Sequence, residues 1–239
     1  MDFTSARFAG NQLLEQILND PDTGAVKLGP GSPADSVTPV QQALADLGWP
    51  FRVEPPILAD PFADGDFGSN TAKTVLRYKR QYDLHFPPTA PTGLIDEFVG
   101  PRTMRRLDGH IAFFDESAIA IDAKIADLQA SGVNVAADPV GGGVDSIVLG
   151  HFAVMRFVLV DGTQGAVFNT HDVGAFEVHG NLFAAYMPQM ETLGMPTSDE
   201  HDGPPGTREN DFEHGTLRCD LATGTVEQVG PVNPAPPPF

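Results

Sequence analysis

Apolar positions in the first half of the chain recur at helical spacing. One stripe repeats at i, i+4, i+7 and i+11 and consists of Thr71, Val75, Tyr78 and Tyr82. A second stripe of similar period comprises Val37, Val40, Leu44 and Leu47. Such spacing places the apolar residues on one face of a helix. Ser69 is the expected N-cap of the first of these helices and Gly48 the expected stop of the second. A third, short helix is expected to open at Gly100-Pro101.

Alternating apolar residues and glycine turns take over in the second half. The segment Gly165–Gly180 aligns with Gly215–Gly230 at an offset of 50 residues. The coinciding positions are Gly165/Gly215, Gly174/Gly224, Glu177/Glu227 and Gly180/Gly230. Each segment has a turn signal between two stretches of strand character, at Asp172–Gly174 and at Ala222–Gly224. The pattern predicts a β-hairpin that occurs twice.

A helical pattern and a glycine-rich stretch separate the two halves. Phe113–Ser131 has apolar and charged positions at helical spacing, and Gly132 is the expected stop. Asp138–Gly143 contains a proline and three consecutive glycines, which predicts a hinge. We therefore predict an α+β protein of two domains. The expected division is a helical domain at 1–109, a connecting helix and hinge at 110–143, and a β-rich domain with a proline-rich tail at 144–239, in which residues 144–160 cap the repeated hairpin.

The net charge of −18 is unevenly distributed. Residues 1–109 hold 10 Lys and Arg against 14 Asp and Glu, whereas residues 110–239 hold 4 against 18. The acidic remainder argues against nucleic acid as a partner, and no apolar run is long enough to predict a membrane span. Half of the cations fall on the second and third predicted helices: Lys73, Arg77, Lys79, Arg80, Arg102, Arg105 and Arg106. They form either a cationic face suited to anionic polymers or an ordinary solvated helix surface.

Three motifs at the predicted helices resemble those of a known family. They are Val37, Val40, Gln41, Leu44, Leu47 and Gly48; Asp64–Gly68 with Thr71, Val75 and Tyr78; and Gly93, Val99, Gly100, Pro101, Thr103 and Leu107. Residues 36–108 thereby resemble the three-helix peptidoglycan-binding domain family. The chain departs from the family pattern at Tyr78-Lys79, where Phe-Gln is usual. The resemblance implies attachment to the bacterial cell wall through glycan or stem peptide.

A second resemblance lies between the two hairpins. Leu193–Glu200 reads Leu-Gly-Met-Pro-Thr-Ser-Asp-Glu, Phe212–Gly215 supplies an aromatic-acid-x-Gly turn, and a Thr-Gly turn follows. This order resembles the LGFP repeat of actinobacterial cell-wall proteins, although Cys219-Asp220 replaces the usual Trp-Ser. One full copy and a preceding hairpin are visible. The resemblance implies a wall-anchoring role for this half of the chain.

Binding of a wall polymer calls for a shallow groove with an aromatic platform and a few polar groups that fix the register. The candidate residues lie at the acidic turn and on the helix after it: Asp64, Asp66, Phe67, Ser69, Thr71, Tyr78 and Tyr82. The alternative is structural. In that interpretation Phe67 and Tyr78 belong to the core, while Asp64 and Ser69 are turn and cap residues.

The sequence lacks the common patterns of catalytic and metal sites. No His-Glu-x-x-His, Gly-x-Ser-x-Gly or phosphate-binding glycine loop is present. His171, Glu177 and His179 form the closest group of metal-type ligands, but the repeat explains Glu177 through its counterpart Glu227. Cys219 is expected to be inert, because it lies in a strand that enters a turn. We therefore predict no catalytic residue, no metal and no cofactor.

These expectations together describe a non-catalytic protein that binds or anchors to peptidoglycan or another cell-wall glycan. The expected location is the cell wall or the extracellular space, although the N-terminal residues show no recognisable secretory signal. One alternative is a structural or cargo component of a phage-like contractile injection particle. Such a component would have protein partners and would assemble in the cytoplasm before release. The second alternative is a cell-wall hydrolase.

Overall fold

The first half of the chain forms helices, and the second half forms antiparallel strands with short helices between the two groups of strands. The computed structural model describes residues 2–49, 62–85, 93–135, 146–148, 152–171 and 173–230. Both helices and antiparallel sheets are present, which confirms the α+β class. The chain divides into two compact units, Met1–Asp115 and Glu116–Phe239. The predicted hinge at 138–143 and the proline-rich tail from 231 onward lie outside the described residues.

The first unit is helical. Its helices are α1 (Gln12–Asn19), α2 (Ala34–Asp46) and α3 (Ser69–Gln81), followed by the start of α4 (Pro101–Ala130). The spacing predicted α2 and α3 correctly, and Gly48 ends α2 with a φ of 75° as expected. The expected N-cap Ser69 is wrong by one residue. Gly68 occupies the N-cap position and Ser69 is the first helical residue.

Helix α2 begins at Ala34, three residues before its apolar stripe, and therefore contains Pro39 beyond its first turn. Proline has no N–H, so the carbonyl of Asp35, four residues earlier, lacks its helical donor. The side-chain amide of Asn11 donates to that carbonyl at 3.0 Å. The Oδ1 of the same Asn11 accepts from the N–H of Leu14 and caps α1. The N-cap residue of α1, a helix that the periodicity did not predict, thus supplies the hydrogen bond that Pro39 removes from α2.

Helix α4 is one 30-residue helix where the sequence predicted two. The residues between the predicted helices include Gly109 but no proline, and a single glycine costs a helix only about 1 kcal/mol. The buried stripe continues past it through Ile111, Ile121 and Ile125. The helix ends where expected, because Gly132 has a φ of 92°. Residues 101–115 of α4 belong to the first unit and residues 116–130 to the second.

The second unit contains two four-stranded antiparallel sheets, each with its strands in sequence order. The first sheet comprises β1 (Ser146–Val148), β2 (Phe152–Val158), β3 (Gln164–Thr170) and β4 (Gly174–His179). The second comprises β5 (His201–Asp202), β6 (Thr207–Phe212), β7 (Gly215–Asp220) and β8 (Val226–Val229). The predicted hairpins are β3–β4 and β7–β8, so both are confirmed. The segment 144–160, expected to cap the single full repeat copy, contains β1 and β2, which extend the sheet of β3 and β4.

The repeated glycines have a common backbone conformation. Gly174 is the first residue of β4 and Gly224 lies two residues before β8, with φ values of 105° and 69°. Gly180 and Gly230 follow these two strands with φ values of 59° and 91°. Side chains with a Cβ rarely adopt this left-handed region. The glycines of the sequence repeat therefore mark the same two backbone bends in each sheet.

One aromatic cluster connects the two sheets of the second unit. Helix α5 (Gly180–Tyr186) packs against strands of both sheets, and the short α6 (Met190–Leu193) follows it. The ring of Tyr186 stacks on Phe212 at 4.5 Å and meets Phe168 edge-on at 5.5 Å. Its hydroxyl donates to the carbonyl of Gly194 at 2.9 Å. The buried tyrosine is thus satisfied at its polar end while its ring joins β3 to β6.

Candidate functional site

A buried glutamine holds the acidic turn of the first unit. The side-chain nitrogen of Gln41 lies 2.9 Å from Asp64 Oδ1, 3.0 Å from the Asp66 carbonyl and 2.9 Å from Thr71 Oγ1. Its Oε1 accepts from the N–H of Gly65 at 2.8 Å. Gln41 is 0 % exposed, so both ends of its amide are satisfied inside the protein. The Gln41 amide, followed by the Asp66 N–H, lowers the pKa of Asp64.

Three of the seven predicted binding residues have buried side chains. Phe67, Thr71 and Tyr78 are buried, and their side chains offer almost no surface to a ligand. Phe67 and Tyr78 belong to the core, and Thr71 hydrogen-bonds with Gln41. The apolar residues of a helix stripe face the core because their burial stabilises the fold. The spacing that identified them therefore predicts buried side chains and gives no indication of which side chains a ligand can reach.

Tyr82 retains partial exposure and belongs to an aromatic cluster with a buried histidine. Its ring lies 4.7 Å from that of His110 and 5.0 Å from that of Tyr78. Burial lowers the pKa of His110 to about 4, with a smaller contribution from Arg106. The imidazole is therefore neutral at pH 7, and its Nδ1 lies 2.8 Å from the Tyr78 hydroxyl. This arrangement fixes Tyr78 as a core residue.

The exposed members of the predicted site line one polar depression. Asp64, Asp66 and Ser69 have exposed side chains. They surround a volume of about 210 Å³ together with Phe62, Gly68, Asn70 and Thr71. We call this depression the turn surface. Its carboxylates, hydroxyl and amide suit the hydroxyl and amide groups of a glycan or peptide, and the structure brings these predicted residues together as expected from their closeness in sequence.

A second concave surface in the first unit was not predicted. It is lined by Asp22, Gly24, Lys27, Lys79, Leu84, His85, Asp96, Phe98, Gly100, Pro101, Arg102 and Thr103. We call it the basic groove. Lys79 and Arg102 were among the cations noted in the sequence, but Lys27 lies outside the predicted helices. The groove joins segments that are far apart in the chain, so periodicity gave no signal for it.

Lys79 is fixed at the base of the groove. This lysine is 4 % exposed, forms an ion pair with Asp96 and donates to the carbonyl of Phe98 at 3.3 Å. Asp96 is held in turn by the N–H of Phe98 at 3.2 Å. Arg102 donates to the neutral carbonyl of His85 at 3.0 Å. The Nζ of Lys27 lies 4.0 Å from the centre of the Phe98 ring.

In the second unit, the segment that resembles an LGFP repeat connects the two sheets. Ser198 Oγ accepts from the N–H of Asp211 at 2.9 Å. The N–H of Glu200 donates to Glu177 Oε1 at 2.8 Å. The side-chain amide of Asn210 donates to the carbonyls of Glu177 and Ser198 at 3.0 and 3.2 Å. These bonds tie β4 to β6, so the polar residues of this segment have structural roles.

Glu177 is the most deeply buried acid of this segment's surroundings. It is 2 % exposed, and its Oε2 has no hydrogen-bond partner among the described residues. Burial raises the pKa of Glu177, while the nearby His179 opposes the rise. The Nε2 of His179 lies 3.8 Å from Glu177 Oε2, and its Nδ1 lies 3.3 Å from Glu200 Oε2. The histidine thus stands between two carboxylates.

The other chemistry-bearing residues of the second unit do not assemble into a centre. His171 follows the end of β3 that pairs with the start of β4, whereas His179 ends β4 at the opposite end of the hairpin. Within the described residues, no group of three His, Cys, Asp or Glu side chains is arranged to hold a metal ion. Cys219 is buried in β7. No described helix is both long enough and apolar enough to cross a membrane.

Neither the family models nor the curated proteins include one that matches this chain significantly.

Proposed function

We propose that the protein binds peptidoglycan without cleaving it, and that the first unit supplies the binding surface. The observation that carries this proposal is the set of hydrogen bonds made by the Gln41 side chain. Gln41 belongs to the first motif of the resemblance and bonds to Asp64, Asp66 and Thr71 of the second. Residues of the two motifs are therefore in contact as well as ordered in sequence. This contact supports the proposal that the first unit has the fold of the resembled family.

The turn surface supplies the contacts in this proposal. A glycan presents hydroxyl and acetamido groups, and the exposed carboxylates of Asp64 and Asp66 are strong acceptors for such donors. Because Gln41 fixes the turn from beneath, these acceptors need little ordering when a ligand binds. A binding site of this kind holds its ligand by position and polarity. It requires no general acid, nucleophile or metal.

The second unit fits a supporting role in attachment. Its resemblance to the LGFP repeat rests on a segment that joins two sheets by hydrogen bonds through Ser198, Glu200 and Asn210. If both units bind the wall, attachment of one raises the effective concentration of the other, and the affinity of the whole chain exceeds that of either unit.

Co-sedimentation with purified peptidoglycan sacculi tests the proposal. We expect the full chain to be retained without release of soluble muropeptides. The Asp66→Asn variant should lower retention about fivefold, since one charged hydrogen-bond acceptor is worth about 1 kcal/mol. Asp122→Asn removes one exposed carboxylate from α4 and serves as the matched control. Release of muropeptides would favour a hydrolase, and absence of retention would favour a protein partner in a larger particle.

A further inference from the structure

The basic groove has the features of an anion site inside a strongly acidic protein. Three of its lining residues, Lys27, Lys79 and Arg102, carry positive charge. We propose that this groove binds the carboxylate end of a short peptide. The assignment of that peptide to the cell wall rests on the function proposed above, whereas the carboxylate site itself does not.

The charges of the groove are not balanced within its lining. Its two carboxylates each have a cationic partner among the described residues: Asp96 pairs with Lys79, and Asp22 pairs with Arg105 at 2.9 Å. Lys27 and Arg102 remain, with an aromatic face and a neutral carbonyl as their described contacts. In a chain of net charge −18, this local excess of positive charge attracts an anion that the rest of the surface repels.

The groove is held in shape before any ligand binds. The base is fixed by the Lys79–Asp96 pair, which also bonds to both backbone polar groups of Phe98. Gly29 packs directly against the Phe98 ring, because a Cβ added to Gly29 would lie 2.4 Å from that ring. The ring is therefore held from below while Lys27 lies near its centre. A fixed site loses little entropy on binding.

The start of α4 adds to the cationic side chains. Pro101 is the first residue of this 30-residue helix, and Arg102 and Thr103 follow it in the groove lining. First-turn N–H groups have no acceptor within their own helix and carry partial positive charge. The intrahelical bonds begin with Met104, whose N–H donates to Gly100 at 2.9 Å. These amides supplement the charges of Lys27 and Arg102.

The size and lining of the groove favour a peptide carboxylate. Its volume is about 80 Å³, which accommodates several water-sized groups at roughly 10–15 Å³ each. Phe98, Leu84 and Pro101 give it apolar walls beside the cations. A carboxylate with one small aliphatic side chain satisfies both features.

Nuclear magnetic resonance titration of the ¹⁵N-labelled full chain tests the site directly. The probe is N-acetyl-D-alanyl-D-alanine, and its C-terminal amide is the matched ligand that lacks the negative charge. We expect the acid to shift the amide signals of Arg102 and Thr103 and the amide form to shift them far less. The double variant Lys27→Gln, Arg102→Gln should weaken binding at least about tenfold.

A second double variant controls for net charge. Lys73→Gln, Arg80→Gln removes two positive charges from exposed positions of α3 outside the groove, and it should bind the probe like the parent chain. Equal binding of acid and amide, or an undiminished affinity of the groove variant, overturns the proposal.

Sacculus retention separates this proposal from the proposed function. Retention of the parent chain and loss in the groove variant support both. Retention that is equal in the parent chain and the groove variant overturns the groove as the wall contact and leaves the proposed function standing. Probe binding at the groove without any retention supports the carboxylate site and removes the wall as its source.

Discussion

Individual polar residues inside this protein have structural roles that their sequence patterns do not reveal. Gln41 is the clearest case. In the sequence it stands beside the apolar stripe of α2 and belongs to the first of the three motifs. Its amide is buried because Asp64, Asp66 and Thr71 supply three acceptors and Gly65 supplies one donor. The motif singled out the residue. Its partners could not be predicted, because they lie more than twenty positions away in the chain.

Substitution of Gln41 by Ala is expected to destabilise the first unit by about 2–3 kcal/mol. The loss leaves the Gly65 N–H without its acceptor in a buried position, and such groups are costly. Urea unfolding followed by circular dichroism measures the change. The neighbouring Gln42 is exposed, so Gln42→Ala should alter the stability by less than about 0.5 kcal/mol. Equal effects of the two substitutions would contradict the role assigned to Gln41.

Glu177 makes the stability of the second unit depend on pH. Its pKa is raised in the folded state, so the folded chain holds a proton that the unfolded chain releases in the pH range above 4.5. The free energy of unfolding should therefore fall as pH rises from about the unfolded pKa through the folded one. Glu177→Gln should remove this component and stabilise the protein at pH 8.

The groups that face Glu177 set the strength of this effect. His179 and the N–H of Glu200 oppose the rise in the pKa of Glu177, whereas the charges of Glu200 and Asp199 add to it. Asp199 pairs with Lys124 at 2.8 Å, and Glu200 pairs with Arg208 at 2.9 Å. The repeat provides the control, because Glu227 occupies the corresponding position with an exposed side chain. The free energy of unfolding should be measured at pH 5 and at pH 8. The difference between the two values should shrink for Glu177→Gln and should stay as in the parent chain for Glu227→Gln.

At the scale of elements, local patterns predicted long or repeated features and missed short or continuous ones. The stripes identified α2 and α3, and the glycine repeat identified β3–β4 and β7–β8. Helix α1 was missed because eight residues carry few periods of the apolar pattern. The two halves of α4 were predicted as separate helices, because neither apolar pattern extended across the residues between them. The basic groove requires tertiary structure, since residues 22–27, 79–85 and 96–103 meet there.

Gly109 within α4 and Gly132 just after its end should respond in opposite directions to alanine. Gly109 is exposed within the helix, and a Cβ added there meets nothing within 4 Å. Gly109→Ala should stabilise the protein by about 0.5–1 kcal/mol because alanine restricts the unfolded chain and favours the helix. Gly132 has a φ of 92°, so Gly132→Ala should destabilise by about 1 kcal/mol. Thermal unfolding of both variants measures the difference in sign.

At the scale of the whole molecule, each unit has its own core and its own network of buried side-chain hydrogen bonds. In the first unit this network lies between a helix and a turn. In the second it lies between two sheets, where Asn210 donates to residues of β4 and of the Thr197–Glu200 segment. The resemblance of the second segment did not predict that Ser198 and Glu200 would hydrogen-bond within the protein.

Asn210→Ala should remove two hydrogen bonds that connect the two sheets and destabilise the second unit by about 2 kcal/mol. Two carbonyls would lose their donor in a position that is 0 % exposed. Hydrogen exchange of amides in β4 and β6 measures the local effect, with faster exchange expected at both strands. Asn181 is exposed, and Asn181→Ala serves as the control. Unchanged exchange in β4 would show that the bond to Glu177 contributes nothing.

The pairing of Asn11 with the carbonyl freed by Pro39 narrows what position 11 tolerates. An isolated N-cap accepts Asn, Asp or Ser almost equally. Here the side chain must both accept at the start of α1 and donate to Asp35, and only Asn among these three offers a carbonyl and an amide at once. Replacement of Pro39 by Ala restores the backbone donor and would relax this restriction. The preference for Asn at position 11 is thus conditional on a proline 28 residues further along the chain.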